Sequence, residues 1–308
     1  MTKLSYDAVV IGGGPAGSSA AAWLARNKWK TLMLDEALED GYLGSLGNVS
    51  YFPGQSGPVT GAELVRRFRA QAEHAGAEIR AVRAEKLAIE GEKLAVQPGG
   101  GEHVEARVVV LATGAALLGG YLHGEKEFMG RGVSHDAVSD GPVFAHRRVA
   151  VVGKTQHAAH EALRLARYVE HIVFIIPSSK LDVPESLMRE LRHQKKIEHY
   201  LSTSLKKING GEHVHSITVF TGGQEKDIEV HGVFPYVHEY HAASDFLKGM
   251  VELAPNGAVK IDHEFNTSAK GVFACGDLIC ALPQMPAIAC AQGIMAGMSV
   301  DKYLVAGC

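Results

Sequence analysis

Cysteine is scarce in this chain, four in 308 residues, at positions 275, 280, 290 and 308. No two are spaced as a Cys-x-x-Cys dithiol, and the clustering toward the carboxyl end excludes a secreted disulfide framework. Cys275 and Cys290 are expected to serve as small buried hydrophobes, and the terminal Cys308 to be mobile. An excess of one charge is also missing. Thirty-one Lys and Arg face 34 Asp and Glu, for a net charge of −3, which argues against general binding to nucleic acid or to membrane surfaces. No apolar run approaches the roughly 18 residues of a membrane span. The chain enters its first apolar strand soon after Met1, so no signal peptide and a cytoplasmic location are expected. A hydrophobic content of 46% and a charged content of 21% suit an ordinary globular core, and the length allows two domains.

Glycine is plentiful, and one group of glycines carries chemistry. Asp7 to Ile11 reads as a buried parallel strand and runs into Gly12, Gly13, Gly14, Pro15, Ala16 and Gly17. Gly12 permits a tight turn, Gly14 lets backbone approach a pyrophosphate, and Gly17 lets the next helix pack close to the strand. That helix, expected over 16–27, offers free N–H groups and a positive dipole end. A second strand over 31–34 ends at Asp35, where a ribose hydroxyl would be held, with Glu36 the close alternative. Strand, turn, helix and acid in register predict a bound dinucleotide.

A second strand–turn–helix starts at Arg148 but reads Gly153, Lys154, Thr155, Gln156, His157. Lys154 and Thr155 put side chains where a pyrophosphate needs bare backbone, although a lysine can also meet phosphate as a point charge. Further helices are expected over 61–75, 156–168, 184–195 and 286–304. A small antiparallel sheet is expected around 86–97, after a loop from Asp40 to Pro58. Strands are expected over 106–114, ending in the small-residue turn Ala112-Thr113-Gly114, over 171–176, and over 271–275, followed by Gly276 and Asp277. The Ala-, Gly- and Met-rich last helix should pack closely on something flat or on backbone.

Together these landmarks resemble the low-molecular-weight thioredoxin reductases, a family of flavoproteins with two dinucleotide-binding domains. The resemblance rests on the first glycine turn, Tyr51-Phe52-Pro53-Gly54, Val59-Thr60-Gly61-Ala62-Glu63-Leu64, Ala112-Thr113-Gly114, Gly130-Arg131-Gly132-Val133-Ser134 and Gly271-Val272-Phe273-Ala274-Cys275-Gly276-Asp277. It implies an α/β fold of two Rossmann-like domains. An FAD domain would comprise residues 1–114 and 246–308, with a degenerate NAD(P)-binding-like domain inserted over 117–245. It further implies FAD at the first turn, a chain crossing at Ala112-Thr113-Gly114, Asp277 on the ribityl chain, and a homodimer. Leu43, Pro286 and Ala287 complete the expected flavin contacts.

The departures from that family are informative. Where it carries a redox Cys-x-x-Cys, this chain reads His135, Asp136, Ala137, Val138, Ser139, so dithiol chemistry there is excluded. Where the family places a His-Arg-Arg cluster for a 2′-phosphate, Ile175 to Lys180 offers one cation. Family-style NADPH binding is therefore expected to be lost. Tyr42 and Tyr51 replace a glutamine and an asparagine near the flavin ring, and either stack on it or fill vacated space. Gln284, Met285 and Pro286 replace Arg-Gln-Ala.

His135 beside Asp136 is a candidate acid/base pair near the flavin, set against a loop that drifted once its cysteines were lost. Sixteen histidines invite a metal, with His157, His160 and Glu161 on one helix and His213, His215, His238 and His241 elsewhere. Their spacing matches no metal set, and none is expected. The expected function is an FAD-dependent oxidoreductase fed by ferredoxin, a second flavin or a small reductant. The competing readings are a flavin-bound sensor without turnover and a reductase using Cys280 and Cys290.

Overall fold

The computed structural model describes residues 4–37, 41–47, 49, 51–57, 59–90, 93–101, 103–118, 120–247, 249–279 and 285–307. Cys280, Gln284 and Cys308, and the loop ends Asp40 and Pro58, lie outside the described residues. The first unit is wound around β1 (Leu4–Ile11), whose Ala8, Val9 and Val10 are wholly buried. Burying each such valine stabilises the fold by roughly 1.5–3 kcal/mol. A helix α1 (Pro15–Arg26) returns the chain to β2 (Thr31–Leu34), parallel to β1. A short helix α2 (Tyr42–Ser45) and the longer α3 (Gly61–Ala75) lead to β3 (Glu78–Arg80). Thr60 caps α3 by accepting the Glu63 N–H, and Gly76 ends it at φ +106°.

The hairpin β4 (Ala84–Glu90) and β5 (Lys93–Pro98) precedes β6 (Val104–Leu111). It is not a separate sheet: β5 pairs antiparallel with β6 and extends the main sheet, in the order β3-β2-β1-β6-β5-β4. The reason is that β6 shares one edge. Residues 104–106 pair with β5, while Val109 to Leu111 pair in parallel with the strand Val272–Ala274, which comes from the far end of the chain.

The crossing strand β7 (Ala115–Leu118) leads to a second α/β unit. It contains α4 (Ala137–Asp140), β8 (Arg148–Val152), α5 (Gln156–Leu165), β9 (His171–Ile175), α6 (Glu185–His193) and β10 (Ile197–Tyr200). Three antiparallel strands follow, β11 (Ser204–Gly210), β12 (Val214–Thr221) and β13 (Gln224–Glu229), then β14 (Gly232–Pro235). The parallel order is β10-β9-β8-β14, with apolar cores on both faces as parallel sheets require. The chain returns through β15 (Glu239–Ala242), antiparallel to β7, then forms β16, the Val272–Ala274 strand, and α7 (Pro286–Val305). The fold is thus mixed α/β with two Rossmann-like units.

The last helix does approach backbone. A Cβ on Gly293 would fall 2.1 Å from the Ala16 carbonyl oxygen, so α7 lies directly against α1. No helix among the described residues is long and apolar enough to cross a membrane.

Candidate functional site

The glycine turn between β1 and α1 lies at the carboxyl end of the main sheet, where open α/β sheets bind ligands. Gly12 adopts φ +104°, and a Cβ there would stand 2.3 Å from the Ala112 carbonyl oxygen. A Cβ on Gly17 would meet the Gly12 oxygen at 1.8 Å. Gly14 is different: nothing lies within 4 Å of its Cβ position. It starts α1 without a side-chain cap, and Pro15 follows in the first turn. The first-turn N–H groups, Ala16 and Gly17 among them, are left for an anion.

Three adjoining cavities run past this turn. One of about 310 Å³ is lined by Leu34, Asp35, Glu36 and Phe246. It shares Gly12, Asp35, Ala37 and Thr113 with a second of about 140 Å³, which reaches Gly14, Pro15, Ala16, Leu43, Ala112, Gly114, Gly276 and Asp277. The second shares Tyr42, Leu46, Met285 and Pro286 with a third, of about 480 Å³, lined by Tyr51, His135 and Asp136. The result is a trough with the glycine turn near its middle. Ala287 lines none of these cavities; Met285, the N-cap residue of α7, and Pro286 and Ala289 on the helix do. Gly17 is outside the lining because it packs on Gly12.

Asp35 forms an ion pair with Arg69 of α3, and its carboxylate lies against Gly13. Arg69 was not foreseen, since 34 positions separate the pair. Glu36 is exposed at the rim, with Arg83 at 3.5 Å. Thr113 donates its hydroxyl hydrogen to the Ala243 carbonyl at 2.8 Å, tying the outgoing and returning chains together. Burial pushes the Asp277 carboxyl up to about 6. Among the described residues no donor meets it, which suits it to accept from a ligand's hydroxyl groups.

His135 and Asp136 do not pair with each other. Asp136 caps α4, accepting the Val138 N–H at 2.8 Å, the Ser139 N–H at 3.1 Å and the Ser139 hydroxyl at 2.6 Å. His135 points to Glu125 instead, with Nε2 at 2.7 Å from Oε1. His238 places its own Nε2 at 2.6 Å from the same oxygen. Burial pushes Glu125 up, but hydrogen bonds from both rings and from the Leu122 N–H outweigh it and hold the carboxyl at about 2. Glu125 carries no signal in its local sequence; only the fold brings it to the histidines.

The second glycine turn keeps its first glycine tightly packed but differs beyond it. A Cβ on Gly153 would lie 2.6 Å from that of Ala158 and 2.9 Å from the Tyr236 backbone carbonyl oxygen. The Thr155 hydroxyl accepts the Ala158 N–H at 3.4 Å and so caps α5 itself. Tyr236, buried with its phenol pushed well above its ordinary pKa by desolvation, backs the turn and packs edge-on against His157. Lys154 and Lys180 are exposed. Glu161 is raised by burial against the pull of Arg164, 3.3 Å away. Neither His157 nor His160 joins Glu161 in a metal-sized cluster among the described residues.

The two thiols among the described residues, Cys275 and Cys290, are poor nucleophiles. Burial alone pushes Cys275 up to about 12. It also raises Cys290, against a hydrogen bond with Ser19.

Residues 6–295 match the pyridine nucleotide-disulphide oxidoreductase family. The chain is 35% identical over 303 residues to a thioredoxin reductase of Aquifex aeolicus, covering 97% of this chain and 93% of that one. It is 31% identical over 310 residues to a thioredoxin reductase of Peptoclostridium acidaminophilum, covering 98% of each. Its structure is similar to that of thioredoxin reductase from Streptococcus pyogenes, with a TM-score of 0.92 at 26% identity, over 99% of this chain and 100% of that one.

Proposed function

The chain belongs to the pyridine nucleotide-disulphide oxidoreductase family, and on that premise we propose that it is an FAD-binding oxidoreductase that does not draw electrons from NADPH. The observation that carries this reading is the contrast between Gly14, open and uncapped, and Thr155, which caps its own helix. The trough fits FAD. The first-turn N–H groups of α1 would hold the diphosphate. Glu36, with Asp35 behind it, would hold the ribose, and Asp277 would accept from the ribityl hydroxyls. Tyr42 and Pro286 stand where the second cavity opens into the third, beside the place of the ring. Bound FAD supplies electron transfer between a donor and an acceptor.

The remaining residues narrow the choice of partner. Asp136 and Ser139 hold no exchangeable disulfide, and their polar atoms are spent on the α4 cap. At the second turn Thr155 takes up the Ala158 N–H, and Lys154 and Thr155 put side chains where a dinucleotide's diphosphate needs bare backbone. Electrons would enter from a ferredoxin, a second flavin or a small reductant. In keeping with the resemblance, we take the protein to be a cytoplasmic homodimer, its domains dividing near residues 114 and 246.

Anaerobic spectroscopy of the purified protein tests this. The flavin should stay oxidised with NADPH and bleach with dithionite or reduced ferredoxin. Rapid bleaching by NADPH would overturn the reading of the second turn. A colourless protein that takes up no added FAD would remove the whole proposal, and flavin that no biological donor reduces would make the chain a binding protein.

A further inference from the structure

Glu125, His135 and His238 lie outside the trough's central stretch, and their donor atoms converge within 4.8 Å. We propose that they form a binding site for one divalent transition-metal ion of the zinc class. The Glu125 side chain is fully buried, and the two imidazoles are 8% and 5% exposed. The three come from three separate stretches: the run after β7, the segment before α4, and the run between β14 and β15. Both chain crossings between the two units therefore contribute, and a bound ion would hold them together.

The donor set and its orientation suit such an ion. Two imidazole nitrogens and one carboxylate oxygen are the ligands of open, three-donor zinc sites. The Leu122 N–H binds Glu125 Oε2 at 2.7 Å, which fixes the carboxylate and leaves Oε1 to face both rings. Among the described residues the Nδ1 of His135 is buried without a partner, so whatever occupies the Nε2 side sets that ring's tautomer. With both rings neutral, the cluster buries one net negative charge that hydrogen bonds alone stabilise, and a cation would neutralise it. The Nε2 atoms lie 2.7 and 2.6 Å from Oε1. A tetrahedral ion with ligands near 2.0–2.1 Å requires those separations to open by about 0.7 Å, a rotamer-scale adjustment. The alternative occupant is a proton, carried by one histidine.

The test is metal binding by the full chain, read independently of flavin reduction. Protein stripped with a chelator is titrated with Zn²⁺ alone and, separately, with Co²⁺ alone, and metal content is measured after gel filtration. One ion per chain is expected. Cobalt should give tetrahedral d–d absorption without a thiolate charge-transfer band. His238→Ala and Glu125→Gln should each weaken binding at least about 100-fold, the larger loss expected for a removed ligand, while His157→Ala with His160→Ala should not. Substoichiometric metal, a thiolate band placing the ion on cysteine, or full retention by His238→Ala would overturn the site. Because the stripped wild-type titration needs no variant, a His238→Ala protein that fails to fold leaves the stoichiometry and the cobalt spectrum to decide.

Discussion

The Oγ1 of Thr155 accepts the Ala158 N–H at 3.4 Å, so the second nucleotide-type helix takes up one of its own first-turn N–H groups, where the first helix starts at an uncapped glycine. Thr155→Ala should lower stability by about 1 kcal/mol, and Thr155→Gly by only a few tenths. Urea unfolding midpoints would show the difference. Flavin content should not change in either variant, because the cap lies in the inserted unit.

Gly14 and Gly17 should respond oppositely to the same substitution. Gly14→Ala meets open space with an ordinary φ of −69°, so stability should move by less than about 1 kcal/mol. FAD affinity should fall at least about tenfold, equivalent to 1.4 kcal/mol, since the new methyl intrudes on the diphosphate. Gly17→Ala drives a methyl into the Gly12 carbonyl and should destabilise the apoprotein by about 3 kcal/mol or more. Thermal unfolding with and without FAD separates the two. Equal losses of stability would refute this division of roles.

Asp277 should make the flavin-free protein less stable as pH rises. Its carboxyl titrates at about 6 in the fold and near 3.9 when unfolded. The folded state therefore prefers the protonated form; the contribution is full below pH 4 and is lost as pH climbs through 6. The shift sets an upper bound of about 3 kcal/mol. Asp277→Asn should flatten this part of the stability–pH curve and, in the holoprotein, weaken FAD binding. An unchanged curve in the variant would assign the dependence to other groups.

Asp136 and Ser139 already touch, with the hydroxyl 2.6 Å from the carboxylate. The double variant Asp136→Cys, Ser139→Cys should thus lose two titratable thiols on mild oxidation. It should also lose about 1 kcal/mol with the α4 cap. NADPH should still fail to reduce its flavin, since the second turn is untouched. Thiol titration and anaerobic spectra check the two statements separately.

Local signals were strong where a segment's own residues satisfy its ends. The helix Gly61–Ala75 starts at the Thr60 cap and stops at the left-handed Gly76, and both residues are readable in the chain. The helix expected to reach 168 stops at Leu165, because the Tyr168 N–H turns back to the Leu165 carbonyl. The expected separate hairpin sheet joined the main sheet, since the shared edge of β6 depends on a strand that returns only at Val272.

Sequence alone determined the α/β class, the glycine turn with its three distinct roles, and the absence of paired thiols at 136 and 139. Each is a local matter of strand period, Cβ volume and side-chain chemistry. Tertiary structure decided that Arg69 engages Asp35, that Tyr236 backs the second turn, and that His135 turns from Asp136 to Glu125. The His238–Glu125 contact spans 113 positions. No periodicity reaches that far, and the two crossing strands alone bring those side chains within hydrogen-bond range.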